Sequence, residues 1–285
     1  MISTLAPSEL LVPDLIGTLY RYTDFRSQFV DPRHVDVWLP PGYAGHGAQR
    51  YPVLYMHDGQ NLFDPRTSFA SVDWGIDEAL AHLMGAHHIT PPIVVGLWNT
   101  PKRFREYMPA RPVIQATGQP VLWRPYGKGK TKLLSDAYLK FITQEIKPLI
   151  DATYRTLPDA AHTSTMGSSM GALISLYALC EYPQIFGGAG CVSIPWFVAN
   201  GALIKALPAL LPAPGMHKIY YDYGTAGQDA AYEPYQLRAD TVMRAAEYAQ
   251  GKDWITYRAE GADHSEGAWR ARVQLPLQFL LGNRE

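Results

Sequence analysis

Apolar positions along the chain follow two alternating spacings, which predict strands followed by helices. In residues 134–150, apolar side chains recur at three- and four-residue steps, the pattern of an amphipathic helix. Residues 93–98 form a continuous apolar run, typical of a strand that is buried on both faces. Elements that alternate in this way favour an α/β fold, with a mostly parallel central sheet and helices on both faces.

The rest of the chain continues this alternation. Predicted strands are residues 18–25, 33–39, 53–56, 162–166, 190–194, 218–223 and 254–259, and predicted helices are residues 74–84, 170–181, 235–249 and 266–281. One stretch, residues 102–132, has no clean period and contains eight basic residues and one acid. Two interpretations of it stay open: a solvated basic loop, or a partial cover on a pocket that attracts anionic or sugar-bearing substrates.

Composition restricts the class of protein. The chain has 285 residues, of which 47% are hydrophobic and 18% charged, so we expect a compact globule rather than a disordered chain. A net charge of −1 gives no general signal for nucleic acid or anionic membranes. We therefore expect a single α/β domain over residues 1–285 with a small-molecule substrate and no nucleic-acid or membrane partner; a homo-oligomer stays open.

The sequence shows neither a recognisable targeting signal nor a complete metal-binding motif. No apolar run approaches the 18 residues of a membrane helix, and residues 1–14 lack the basic and apolar regions of a signal peptide, which favours a cytoplasmic location. Cys180 and Cys191 lie in apolar stretches and are expected to be buried thiols rather than a disulfide. His87 and His88 are adjacent, but no Cys/His set completes a metal site. We expect no metal and no cofactor.

The strongest chemical signal is a Gly-x-Ser-x-Gly pattern at residues 167–171. It selects Ser169, because Gly167 and Gly171 stand where a sharp strand-to-helix turn needs neighbours without a side chain. The pattern lies between a predicted strand and a predicted helix, which is the context of a nucleophile elbow. Alone it would occur by chance in about one chain in ten of this size, so its meaning depends on partners elsewhere.

A serine nucleophile needs a histidine base, and His264 is the best candidate. It follows the predicted strand 254–259 and precedes the closing helix, so it lies at the carboxyl edge of the sheet, as Ser169 does. His57 is the main rival, since it also follows a strand. It precedes the serine, however, whereas this class of fold uses the order serine, acid, histidine.

The acid that orients the histidine has three candidates: Asp222, Asp229 and Glu233. Asp222 is still within a predicted strand, and Glu233 begins the next helix. Asp229 lies in the loop between them, free to reach His264, so we favour it and keep the other two as alternatives.

An acyl-transfer enzyme also needs N–H donors for the oxyanion. The first is predicted to be the backbone N–H of Met170, directly after the nucleophile. The second is expected in the loop after strand 53–56, where Gly59 permits the turn; we favour the Gln60 N–H, with Asn61 second. An ordinary Asp-Gly turn is the alternative interpretation of this loop.

Several motifs together resemble the putative esterase (esterase D-like) family of α/β-hydrolases. They are, in chain order, residues 55–63 (YMHDGQNLF), residues 94–96 (VVG), Asn99, residues 105–107 (REY), residues 167–171 (GSSMG), residues 223–225 (YGT) and His264. The resemblance covers most of the chain from about residue 35. The family includes feruloyl and acetyl-xylan esterases, enterochelin esterases, S-formylglutathione hydrolases and mycolyl transferases.

The resemblance implies an α/β-hydrolase fold and a catalytic triad that maps onto Ser169, Asp229 and His264. The loop 224–229 departs from the spacing in S-formylglutathione hydrolases, so the resemblance supports Asp229 less strongly than it supports Ser169 and His264. The expected function is a serine carboxylesterase that hydrolyses a small, sugar-linked or aromatic acyl ester through an acyl-enzyme. An acyl transferase on the same triad and a non-catalytic binding protein with the same fold are the alternatives.

Substrate contacts are predicted from position alone. Trp98 and Trp196 lie near the carboxyl ends of predicted strands, where α/β folds bind ligands, and Asn61 is a further candidate. Core packing is the alternative for both tryptophans. The short interval from residue 194 to 217 leaves little room for a large lid domain.

Overall fold

A mixed sheet organises the protein in a computed structural model that describes residues 6–45, 47–119, 121–123 and 130–282. Within those residues the sheet has nine strands, in the order β1-β2-β3-β5-β4-β8-β9-β10-β11, and a separate hairpin pairs β6 with β7. The strands are β1 Ser8–Leu10, β2 Thr18–Phe25, β3 Arg33–Leu39, β4 Val53–His57, β5 Ile93–Leu97, β6 Val121–Trp123, β7 Lys130–Lys132, β8 Thr163–Ser168, β9 Gly188–Val192, β10 Lys218–Gly224 and β11 Trp254–Ala259. Pairing is parallel from β5 through β11 and antiparallel from β1 to β5.

Helices cover both faces of this sheet. They are α1 Ile76–Gly85, α2 Arg103–Tyr107, α3 Ala110–Thr117, α4 Ser135–Lys140, α5 Lys147–Thr153, α6 Met170–Glu181, α7 Val198–Leu210, α8 Glu233–Ala245, α9 Glu266–Arg270 and α10 Gln274–Leu281. Successive strand residues point to opposite faces, so Val53 and Tyr55 join one apolar cluster while Leu54 and Met56 join the other. The predicted α/β-hydrolase architecture is confirmed.

Most predicted elements are present, and four match their predicted bounds: β2, β3, α6 and β11. The predicted closing helix 266–281 is wrong as a single element, because a turn at residues 271–273 separates α9 from α10. Pro276 fits there because the first turn of a helix needs no N–H from that position. The aperiodic stretch 102–132 contains α2, α3 and the paired strands β6 and β7, while its residues 120 and 124–129 lie outside the described residues.

The predicted helix 134–150 is interrupted. A π-helical segment, Phe141–Ile146, joins α4 to α5. Pro148 stands in the first turn of α5 and cannot donate the backbone hydrogen bond that a regular helix would use, so the widened turn accommodates it.

A buried ion pair attaches α2 to the sheet. Arg33, the first residue of β3, donates two hydrogen bonds to Glu106, at 3.0 and 2.7 Å, and both side chains are almost fully buried. A buried cation and anion in this bidentate geometry must stay together, because either one alone would be left unsolvated. The pair therefore holds residues 99–107, which reach the site below, in a defined position.

Two further features bear on the sequence predictions. Cys180 and Cys191 are both buried free thiols. Among the described residues, no helix has the length and apolar character required to cross a membrane.

Candidate active site

Ser169 occupies a strained turn between β8 and α6. Its backbone has φ 54° and ψ −123°, a combination that residues with a side chain rarely adopt. A Cβ on Gly167 would lie 2.9 Å from the carbonyl carbon of Gly171, so Gly167 is needed because a side chain there would collide with the backbone of Gly171. The turn leaves Ser169 partly exposed at the carboxyl edge of the sheet.

The structure brings Ser169, His264 and Asp229 together in one hydrogen-bonded line. His264 Nε2 lies 2.9 Å from Ser169 Oγ, and His264 Nδ1 lies 2.6 Å from Asp229 Oδ1. His264 comes from the loop between β11 and α9, and Asp229 from the short helical turn Gly227–Ala231 after β10. These loops meet because parallel strands all end at the same edge of the sheet.

Asp229 is buried and ionised. Burial opposes its charge, but hydrogen bonds from His264, Ser193 and the Gly224 N–H outweigh burial and hold the pKa of the Asp229 carboxyl below its usual range. An ionised carboxylate can only accept hydrogen bonds, so Nδ1 of His264 carries the proton. Nε2 is then free to accept the proton of the Ser169 hydroxyl.

The two alternative acids have other partners. Asp222 is fully buried and accepts two hydrogen bonds from Arg272, at 3.0 Å each. Glu233 accepts from the Tyr223 hydroxyl at 3.0 Å and pairs with Arg258. Neither is hydrogen-bonded to His264.

The rival histidine is held elsewhere. His57 Nδ1 lies 2.9 Å from the Tyr138 hydroxyl and Nε2 lies 3.1 Å from Thr165 Oγ1, so both ring nitrogens are engaged under the elbow. Burial lowers the pKa of His57 to about 3. The ring is therefore a neutral part of the core.

The backbone amides expected to hold an oxyanion are available as hydrogen-bond donors. Among the described residues, nothing accepts a hydrogen bond from the Met170 N–H or the Gln60 N–H. The Asn61 N–H, in contrast, donates to the Asp58 carbonyl at 2.9 Å. This difference favours Gln60 over Asn61 as the second donor.

The turn that carries Gln60 is held by an ion pair that the sequence did not reveal. Arg103 donates to both carboxylate oxygens of Asp58, at 2.8 and 2.7 Å, and Asn99 Nδ2 donates at 2.6 Å. Burial opposes the charge of Asp58, but Arg103 and Asn99 outweigh it and lower the pKa of that carboxyl. The charged pair anchors the turn to the segment that follows β5.

The expected role of Gly59 is wrong in its detail. The left-handed residue of the turn is Asp58, at φ 58°. Gly59 is needed for space instead, because a Cβ there would lie 2.5 Å from the carbonyl carbon of Gly96 on β5. Asparagine and aspartate tolerate the left-handed region better than most residues, which explains Asp58.

A cleft of about 340 Å³ opens beside Ser169. Its lining residues are Asp58, Gln60, Asn61, Phe69, Asn99, Arg103, Ser168, Ser169, His264, Glu266 and Trp269. The Phe69 side chain is 88% exposed at this cleft, and its backbone N–H donates to Asn61 Oδ1 at 3.0 Å. Asn61 thus lines the cleft and also orients the loop that carries the aromatic ring.

The two tryptophans predicted to contact substrate do not line this cleft. The Trp98 indole N–H donates to Asp36 at 2.8 Å, and the Arg21 guanidinium stacks on its ring. Trp196 is 1% exposed and donates to the Gln236 side chain at 2.7 Å. Residues near strand ends can point into the core as easily as into a cleft, so position alone did not separate these cases.

A larger cavity, of about 860 Å³, lies at the opposite edge of the sheet beside Lys218, the first residue of β10. It contains none of the Ser169, His264 and Asp229 constellation. The smaller cleft is the candidate active site because the reactive side chains meet there. No cluster of three His, Cys, Asp or Glu side chains in the described part of the chain could hold a metal.

Comparison with known proteins gives one family. Residues 27–278 match the family model described as "Putative esterase". An uncharacterised protein of Bacillus subtilis strain 168, YbbA, is 24% identical over 193 residues, which is 68% of each chain.

Solved structures that share the fold include the following two. A ferulic acid esterase has a TM-score of 0.65 at 16% identity, over 92% of this chain and 97% of its own. The enterobactin esterase FES from Shigella flexneri has a TM-score of 0.63 at 18% identity, over 94% of this chain but only 60% of its own. At these identities the likeness establishes the fold alone.

The buried His57 predicts a pH-dependent stability. Its pKa of about 3 in the folded state lies below 6.5, the ordinary value, so the unfolded chain binds a proton that the folded chain excludes. The free energy of unfolding should therefore fall as the pH falls from 6.5 towards 3, with a contribution of about 1.4 kcal/mol per pH unit from this residue. Urea unfolding between pH 6.5 and 4 measures the slope.

His57→Gln should lower that slope, because glutamine does not titrate. His82→Gln, at an exposed position on α1, is the matched control and should keep the wild-type slope. Equal slopes in all three proteins would contradict a neutral, buried His57.

Proposed function

The chain belongs to the Putative esterase family and is a carboxylic ester hydrolase, and we propose that it acts through an acyl-enzyme on Ser169. The observation that carries the proposal is the continuous hydrogen-bonded line from the strained serine through His264 to the buried Asp229. In this line His264 Nδ1 faces the Asp229 carboxylate and His264 Nε2 faces Ser169 Oγ, the arrangement that nucleophilic catalysis needs.

The first half of the reaction forms the acyl-enzyme. Ser169 Oγ attacks the ester carbonyl carbon while His264 Nε2 takes its proton, and Asp229 stabilises the imidazolium that results. The carbonyl oxygen becomes an oxyanion, which the Met170 and Gln60 N–H groups hold. His264 then gives its proton to the departing alcohol as the ester bond breaks.

The second half releases the acid. Water enters the site of the alcohol, His264 takes a proton from it, and the resulting hydroxide attacks the acyl carbon. The tetrahedral intermediate collapses, and the proton returns from His264 to Ser169. The chemistry uses only side chains and amides of this chain.

The cleft supports a small or aromatic acyl ester as substrate, or one linked to a sugar. Its volume of about 340 Å³ is at the lower end for small-molecule sites. Phe69 presents an exposed ring on which an aromatic acyl group or a sugar can stack, and Trp269 lies deeper in the cleft. One structural neighbour is named for ferulic acid, an aromatic acid, which agrees with this choice.

Replacing the proposed nucleophile is the direct test. Ser169→Ala should lower kcat for p-nitrophenyl acetate by about 10⁶-fold and abolish labelling by a fluorophosphonate probe, because it removes the hydroxyl that forms the acyl-enzyme. Ser175→Ala is the matched control, since its hydroxyl lies in the same helix and donates to the Gly171 carbonyl. An active Ser169→Ala protein would exclude this serine.

The acid is tested by comparing two substitutions. Asp229→Asn should lower kcat by about 10⁴-fold, because the asparagine amide stabilises the wrong tautomer of His264. Glu233→Gln should stay within a few fold of wild type, since Glu233 contacts Tyr223 and Arg258. Steady-state kinetics on the same ester decide between them, and the opposite ranking would reassign the acid.

Substrate selection is tested at Phe69. Wild type should prefer a feruloyl ester over an octanoyl ester, because an aromatic acyl group can stack on Phe69 and an alkyl chain cannot, and the small cleft should also accept an acetyl ester. Phe69→Ala should raise KM for a feruloyl ester roughly tenfold and leave the acetyl ester within twofold, because only the feruloyl ring loses a stacking partner. Phe197→Ala, outside the cleft lining, is the control; a uniform effect on both esters would argue against stacking.

A further inference from the structure

The carboxylate of Asp229 has a second hydroxyl partner on the side away from His264. Ser193 Oγ donates to Asp229 Oδ2 at 2.5 Å, and the Gly224 N–H donates to the same oxygen at 2.9 Å. Ser193 follows β9 directly and is fully buried. Its φ of 45° is uncommon for a residue with a side chain, so the fold maintains an unfavourable backbone conformation at this point.

Two N–H donors determine where the Ser193 proton points. Trp269 Nε1 donates to Ser193 Oγ at 3.0 Å, and Arg272 Nη2 donates at 2.9 Å. A hydroxyl oxygen has two acceptor sites and one proton. Because both acceptor sites are filled, the remaining proton is directed at Asp229.

A buried counter-ion keeps Arg272 in place. Arg272 donates through Nε and Nη2 to the two carboxylate oxygens of Asp222, at 3.0 Å each. Asp222 also accepts from the Ser193 N–H at 2.8 Å and from the Tyr220 hydroxyl at 3.0 Å. Burial opposes the charge of the guanidinium, but Asp222 outweighs it and raises the pKa of Arg272. A permanent cation therefore lies two hydrogen bonds from Asp229.

We propose that Ser193, oriented by Arg272 and Trp269, is a positioning residue that sets the orientation and charge distribution of Asp229 for proton transfer. The inference rests on the proposed function, since it assumes that Asp229 and His264 serve Ser169. Ser193 acts through the acid and does not touch the substrate.

Two physical effects follow from this arrangement. The donors on Oδ2 stop the carboxylate from rotating, so Oδ1 stays aligned with Nδ1 of His264. They also stabilise negative charge on Oδ2, which weakens the attraction between Oδ1 and a protonated His264 imidazole. Without the hydroxyl, the carboxylate would hold that imidazolium more strongly and in a less defined geometry.

Other charged and titratable groups face the same pair and must stay constant in a test. They are Tyr232, whose ring lies 5.8 Å from that of His264, and the cleft residues Asp58, Arg103 and Glu266. None of them is altered by the variants below.

The test compares two substitutions that both remove the hydroxyl. Ser193→Ala keeps a Cβ at positive φ, whereas Ser193→Gly relieves the backbone, so the two differ in folding stability but not in the lost donor. Each should lower kcat for p-nitrophenyl acetate roughly 10- to 100-fold, with KM within twofold, because substrate contacts are unchanged. The acidic limb of the kcat/KM profile between pH 4.5 and 8 should move up by about 0.5 to 1 pH unit.

A third variant tests the donors behind Ser193. Trp269→Phe keeps a ring beside His264 but removes the indole N–H, so it should move the acidic limb in the same direction by a smaller amount. Arg270→Met is the matched control, because Arg270 lies two residues from Arg272 and pairs with Asp73 and Glu78 at the surface. It should keep the wild-type profile.

The outcomes separate this inference from the proposed function. A wild-type kcat and acidic limb in Ser193→Gly would overturn the inference, as would a loss of kcat in Ser193→Ala alone, which would indicate a backbone role. If wild type reacts with a fluorophosphonate probe and Ser169→Ala does not, the proposed function stands whatever the Ser193 variants do. If wild type does not react, the proposed function and this inference fail together.

Discussion

The candidate site depends on one buried negative charge, the Asp229 carboxylate. A carboxylate removed from water is unstable unless hydrogen bonds replace its hydration. Here His264, Ser193 and the Gly224 amide supply them, and together they outweigh the penalty of burial and lower the pKa of Asp229. The same bonds select the tautomer of His264, and that tautomer leaves a nitrogen able to accept the Ser169 proton.

The fold gathers these groups through a general property of parallel sheets. β4, β8, β9, β10 and β11 all end at one edge, so the loops that follow them meet although they are far apart in the chain. Each loop contributes something different: the turn with Gln60, the elbow, the Ser193 hydroxyl, the acid and the histidine. The strained backbones of Ser169 and Ser193 lie at this edge and are maintained by the packed strands beneath them.

A second set of charges steadies the other side of the cleft. Arg103 and Asn99 hold Asp58, and through it the turn that presents the Gln60 amide. The buried pair of Arg33 and Glu106 fixes α2, the helix that begins at Arg103. An amide can stabilise an oxyanion only if it is already aimed when charge develops, so this support bears directly on the proposed chemistry.

Local sequence determined many of the elements and the choice of candidate site residues. Apolar periodicity depends on neighbours a few residues apart, so it predicted the longer strands of the central sheet and several helices but not β1, the β6–β7 pair, α2, α3 or α7. The Gly-x-Ser-x-Gly pattern together with chain order selected Ser169, His264 and Asp229 as a hypothesis. Only the tertiary structure decided where side chains point and what lies behind them. Trp98 and Trp196 do not line the cleft, whereas Phe69 is exposed beside it. Ser193 donates a hydrogen bond to Asp229 and accepts hydrogen bonds from Trp269 and Arg272. Such contacts join residues 36 to 79 positions apart, and no local pattern records which of them will meet.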